Sequence, residues 1–319
     1  MRTSALVPLA LATLAALVLS GLGCTRTSGE PNGAASASQK KPPPPLELTL
    51  ERALPIAVAG DFEPSGLLLF EQHLLTVSDK HDDTVFELVT GAETAQIKEF
   101  IRFAPPAEEP RPFDFEGLAA TPGGSLLLAS EARYRVLAVT KAGVASWFTH
   151  SVQALGLESG LFRKRNAGLE GITFAPGGRL LLAAEREPRG LIEFDTPPGS
   201  SRARAWAMPE SAYPPPGGRE PDFSDLTTFE KRVYALERNS HLIVCLEPTP
   251  GRWLEREAWS YAKTENDPRF LYENSSFGLA EGLAIDETHV FLVLDNNREA
   301  RAAAPSDHRP LLFIFRRPH

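Results

Sequence analysis

Cysteine is nearly absent. The 319-residue chain has two, Cys24 and Cys245, too few for a disulfide framework. Histidine is sparse and scattered, seven in all, so no Cys/His zinc site is expected. Positive charge is in deficit, with 33 Lys and Arg against 41 Asp and Glu and a formal net charge of −8. Binding a phosphate backbone needs a basic footprint, so nucleic acid is not an expected partner. The chain shows no nucleophile elbow, no glycine-rich phosphate loop ahead of a helix, and no defensible Ser-His-Asp set. One long apolar run exists, and it lies at the N-terminus.

That run, residues 5–23, follows Arg2 and ends in small residues, which is the pattern of a signal peptide over 1–23. The closing "SGLGC" resembles the lipobox of bacterial lipoproteins, except that Gly21 stands where leucine is preferred. The resemblance implies cleavage before Cys24, lipidation of that cysteine and a chain exported to the cell envelope, with secretion as the alternative. Residues 24–45 are rich in Ser, Gly, Pro and Lys with no apolar periodicity, the composition of a flexible linker. At ~3.3 Å per residue it reaches about 70 Å. The folded domain is expected over 46–319, touching a membrane only through its lipid.

Within that domain one phrase recurs. "EPSGL" at 63, "EGLA" at 116, "EGIT" at 170, "SDLT" at 224 and "EGLA" at 281 stand at intervals of 53, 54, 54 and 57 residues. A period near 50 suggests propeller blades. Each unit divides into short apolar runs separated by turn residues, as in "GITFA", "RLLLAA", "GLIEFD" and "ARAWAM". "TPGG" and "APGG" read as tight turns, and Leu126–Leu128 and Leu180–Leu182 as strands buried on both faces. The last unit has three such runs, and "LELTLE" (46–51) is left over to supply its fourth. The expected fold is all-β: a single β-propeller of five four-stranded blades, or six if the longer connections hide one, closed by the N-terminal strand. Helices should be minor, Cys245 a buried thiol on a strand, and the protein a monomer.

Each repeat opens on an acid and carries a second where the next strand ends. The pairs are Glu63/Asp79, Glu116/Glu131, Glu170/Glu185, Asp225/Glu237 and Glu281/Asp295. Antiparallel pairing sets the two members side by side, and propeller symmetry brings all ten to one face. Two carboxylates about 5 Å apart repel by roughly 3 kcal/mol at an effective dielectric near 20. Compensation comes from the bases that follow (Lys80, Arg133, Arg186, Arg238 and Arg298) or from a divalent cation. Hard carboxylate oxygens favour Ca²⁺. A purely structural use of these acids, accepting backbone N–H groups at strand ends, stays open. The fourth repeat departs from the pattern, since Ser224 stands in the glutamate's place and Asp225 in the glycine's. Two connections, 158–171 with Asn166 and 260–282, lead to the same face; the proline-rich 209–225 reads as stiff rather than chemical.

The phrases "EPSGLLL…LLTVSD", "DFEGLAATPGG…LLLASE", "RNAGLEGITFAPGGRLLLAAE", "DFSDLTT…ALER" and "AEGLAI…LVLDNN…LLFIF" resemble, in order, the phytase-like domain family known for "esterase-like activity of phytase". The resemblance implies a propeller, export, and a calcium-assisted hydrolysis of phosphoesters. Carried onto this chain, Glu63, Glu116, Glu170, Asp225 and Glu281 hold the metal. Arg133, Arg186, Arg238, Lys80 and Asn166 hold a small phosphorylated or other anionic ligand, and Asp295 or Glu185 takes a proton from water. A metal-dependent lactonase and a non-catalytic envelope binding propeller are the alternatives.

Overall fold

The computed structural model describes residues 42–58, 60–195 and 202–318. The signal segment, Cys24 and nearly all of the linker lie outside them. The described chain is strand-rich, with two short α-helices, Gln153–Glu158 and Ala262–Glu265.

The repeats fold as antiparallel ladders in chain order. The first comprises Pro64–Phe70, His73–Ser78, Thr84–Thr90 and Ala95–Arg102, and the second runs from Phe115–Ala120 to Ala145–Trp147. The third runs from Leu169–Ala175 to Ala203–Ala207, and the fourth from Asp225–Phe229 to Arg252–Ser260. In the last, Ala280–Ile285, His289–Leu294 and Leu311–Arg316 are joined by Thr49–Ala57, which pairs antiparallel with Leu311–Arg316. The expected 46–51 strand is thus divided. Leu46–Glu47 pairs parallel with Trp259–Ser260 of the fourth sheet, and the fourth place in the last sheet is taken by the longer Thr49–Ala57.

Packing explains the apolar triplets. Leu126–Leu128 and Leu180–Leu182 are buried throughout, because each strand is covered by a sheet on either face. The core is a series of inter-sheet layers rather than one centre. Leu75 and Val77 meet Leu126 and Leu128; Leu127 and Val136 meet Ile172 and Leu182; Leu181 and Leu191 meet Leu226 and Val233. Leu236 and Ile243 meet Leu283 and Leu292, and Leu312 and Ile314 meet Leu67 and Leu74. Cys245 is a free, buried thiol in the fourth of these layers. The whole is a propeller-like all-β architecture.

The recurring glycine is explained by the first strand of each repeat, which lies against the first strand of the next. A Cβ on Gly117 would stand 2.2 Å from the Glu170 carbonyl oxygen, and one on Gly171 2.4 Å from the Leu226 nitrogen. Only a residue without a side chain lets the backbones approach so closely.

Candidate functional site

Strand register sets the acids. Phe115 pairs with Ser130, Leu169 with Ala184, and Ala280 with Leu294, so the ladder sets Glu131 opposite Asp114, Glu185 opposite Gly168 and Asp295 opposite Leu279. Glu116, Glu170 and Glu281, expected to face those acids directly, fall in the bulges that follow Phe115, Leu169 and Ala280. In the first repeat Pro64 pairs with Ser78. Ser65, not Glu63, therefore holds the position of Glu116 and Glu170, and Glu63 corresponds to Asp114. Anchoring on the written glutamate of "EPSGL" shifts that repeat by two residues.

These side chains line a cavity of about 530 Å³. Its wall carries Glu63, Asp79, Glu116, Glu131, Glu170, Glu185, Glu187, Glu220, Glu281 and Asp295, against three guanidinium groups, Arg186, Arg219 and Arg238. Asn166 and Ser65 complete the expected face. Two triplets, Asp114–Glu116–Glu131 and Glu131–Glu170–Glu185, each bring one carboxylate oxygen per residue within 4.8 Å of the others. Glu131 belongs to both, and its Oε1 also accepts the Gly168 N–H at 2.9 Å.

Protonation answers this crowding. Burial first, then the bond and charge of Glu131, push Asp114 up to about 7. Burial and the Asp114 charge push Glu116 well above the usual carboxylate range, and burial with the Glu116 and Glu281 charges does the same to Glu170. Burial lifts Glu281 to about 8 against the pull of Arg238. Asp295 reaches about 7 through burial and the Glu63 and Asp79 charges, and burial brings Asp79 to about 6.

Cations relieve part of the ring. Arg238 reaches Glu185 and Glu281 and donates from Nε to Asp222 at 2.8 Å. Arg186 meets Glu185 and donates to the Asn166 carbonyl at 2.7 Å. Lys80 pairs with Asp79 and stands 2.5 Å from Glu63, which also accepts from Arg298 at 2.8 Å. Even so, Asp79 Oδ1, Glu185 Oε2 and Glu281 Oε2 are buried and have no hydrogen-bond partner among the described residues. Orphaned carboxylate oxygens beside all-oxygen acid triplets fit a hard divalent cation and no soft one.

Three expected residues are placed elsewhere. Asp225 is fully buried outside the cavity wall, with Oδ2 accepting N–H from Leu67 at 3.1 Å and Leu283 at 2.7 Å and Oδ1 that of Leu226 at 2.7 Å. Glu237, expected beside it, follows its true ladder partner Leu236 and is bound to the buried Arg189 and to Ser240 at 3.1 Å. Arg133 turns outward to the Pro110 carbonyl and to Glu109 at 3.3 Å. Conversely, the sequence reading passed over Asp114, Arg219 and Glu220. The "DF" before Glu116 and Ser224 was the available signal for Asp114 and Asp222. Arg219 and Glu220 lie in the proline-rich stretch set aside as stiff.

No curated protein matches this sequence significantly. Among solved structures, the glutaminyl cyclase of Myxococcus xanthus superposes with a TM-score of 0.53 at 13% identity, covering 86% of this chain and 98% of that one. A gluconolactonase from Xanthomonas campestris gives 0.44 at 12% identity over 88% and 99%. Virginiamycin B lyase from Staphylococcus aureus gives 0.42 at 14% over 84% and 74%. At these identities the first likeness is one of fold alone. The profile of the phytase-like family, described as "esterase-like activity of phytase", matches residues 64–245. More than half of the chain carries that match, so the protein belongs to the phytase-like family.

Proposed function

We propose that this protein is a calcium-dependent, phosphoesterase-like hydrolase working in the acidic cavity. The observation that carries the reading is the pair of acid triplets sharing Glu131, beside the orphaned Oε2 of Glu185. Glu116, Glu131, Glu170 and Glu185 would hold the ion, with Asp114 giving up its proton. Bound there, a divalent cation supplies charge neutralisation and polarisation of a phosphoester oxygen. Arg186 and Asn166 lie on the wall where an anionic ligand would enter. Asp295, held by the Asn297 N–H at 2.8 Å and titrating near 7, is suited to accept a proton from water.

The test is a thermal melt of the full-length chain, stripped with chelator and titrated with Ca²⁺ and Mg²⁺. At a hundred times its dissociation constant a native-state ligand stabilises by about 2.7 kcal/mol. We expect a Ca²⁺ shift of that order, absent in Glu131→Gln, and turnover of a phosphoester but not of a lactone. One observation favours a second reading, a non-catalytic binding propeller: Arg238, Arg186 and Lys80 already neutralise several ring acids. No response to either ion, with no turnover, would make that reading the better one.

We also propose that the sheets form five blades closed by Thr49–Ala57. The reading is supported by the neighbour relations of the first strands, which run from each repeat to the next and from the last back to the first. An experimental density map with a sixth sheet would remove it. The envelope location rests on Cys24 and the linker. Membrane pelleting of the full chain, lost in Cys24→Ser, checks it.

A further inference from the structure

Beside the acidic cavity lies a second one, of about 210 Å³, and Arg219, Asn239 and Phe277 line both. Its wall is of another kind. Phe270, Leu271, Leu279 and Leu294 supply an apolar side, and the titratable groups facing it are His241, Glu265, Arg219 and Tyr272. Phe277 is 42% exposed at the shared mouth, with the Arg219 guanidinium 5.9 Å from the centre of its ring.

His241 is one of several polar groups on this wall, with Asn239, Asn266, Ser275 and Ser276. It sits at the end of the turn that begins with Arg238, and its N–H returns to the Arg238 carbonyl at 3.1 Å. Its Nδ1 is 2.8 Å from Glu265 Oε2, and Glu265 is itself fixed by the Leu279 N–H at 2.6 Å. The carboxylate therefore accepts a hydrogen bond from Nδ1–H and fixes the ring's tautomer and angle. Nε2 has no hydrogen-bond partner among the described residues.

We propose that the smaller cavity is a second binding pocket, for an uncharged alcohol- or phenol-bearing ring, with His241 Nε2 bonding its hydroxyl. Size, charge and chemistry choose this class. An apolar cavity of about 150 Å³ holds one benzene, so this space takes one six-membered ring with a short substituent. A carboxylate would meet Glu265 and the ten acids next door; a cation would be drawn to those acids instead. A hydroxyl both donates and accepts, so it suits Nε2 in either protonation state. Burial lowers the His241 pKa, and the Glu265 bond and charge more than offset this, leaving it raised. The inference does not rest on a bound cation or on catalysis.

The test uses benzyl alcohol as the probe and the full-length chain in chelator, read by long-range ¹H–¹⁵N spectra of the histidine rings. The expected result is a saturable shift of the His241 ring nitrogens. His241→Asn keeps a donor for Glu265 but deletes Nε2; it should bind about tenfold more weakly. Leu271→Trp, which fills the apolar side, should abolish binding. Both variants should keep the wild-type response to Ca²⁺, whatever that response is. A His241 signal unmoved at saturating probe, or equal affinity in His241→Asn, would overturn the proposal. If both variants fail to fold, the wild-type His241 shift decides alone.

Discussion

The second and third repeats and the fourth each carry acids near the start of the first strand and the end of the second, and employ them in opposite ways. In the former, Glu116, Glu131, Glu170 and Glu185 crowd together on the cavity wall and leave an oxygen unpartnered. In the fourth, Asp225 is consumed by three backbone amides and Glu237 by Arg189. An acid's use therefore follows its place in the ladder and the partners that neighbouring strands deliver there, and in the fourth repeat both acids stand off the places of Glu116 and Glu131. Asp225 stands where the other repeats have glycine, so the side chain extends among the first strands and ties Leu67, Leu226 and Leu283 together.

This contrast is broken most sharply by Asp225→Ala. Three buried donors would lose their acceptor, and each unsatisfied group costs about 1–3 kcal/mol. We expect a loss of about 3 kcal/mol or more in urea unfolding, with the Ca²⁺ shift retained wherever the variant still folds. A near-neutral result would mean that the amides find other partners and that the axial tie is dispensable.

Next in size is the pH response of the chelated protein. Asp79, Asp114, Asp295 and Glu281 titrate at about 6, 7, 7 and 8 in the fold, above their unfolded values. Between the two sets the folded chain binds more protons than the unfolded one, so stability falls as pH rises. The urea midpoint should be higher at pH 5.5 than at pH 8, by at least about 1 kcal/mol in stability, the worth of one pKa unit at one group. Saturating Ca²⁺ should narrow the gap. A midpoint that rises with pH would show that the ring acids stay ionised without help from protons.

The smallest effect belongs to Arg133. It points at Glu109 and proline carbonyls on the partly exposed outer side of the second repeat. Arg133→Ala should leave the Ca²⁺ response and any turnover intact and change stability by less than about 1 kcal/mol. Loss of turnover would return it to the ligand.

Much of this was legible in the sequence because repeat spacing and strand periodicity are local signals. That Glu116, Glu131, Glu170 and Glu185 reach one wall follows from the repeat and the length of each hairpin, though the ladder does not set them opposite one another. What was not legible depends on irregular backbone or distant chain. The offset in "EPSGL" arises because Glu63 holds the place of Asp114 and Ser65 that of Glu116, which the pairing of Pro64 with Ser78 makes plain. Arg133 turns away because residues 109–112 offer it a carboxylate and carbonyls. His241 meets Glu265 across a helix and a ladder edge, contacts that no spacing in the sequence announces.

The pairing of Thr49–Ala57 with Leu311–Arg316 also bears on how the molecule is made. The first long strand to leave the ribosome finds its partner in the last. Until then the final sheet has three strands and an open edge able to recruit another chain. Contacts this distant in sequence form slowly. The edge of Leu311–Arg316 therefore stays open until Thr49–Ala57 docks on it.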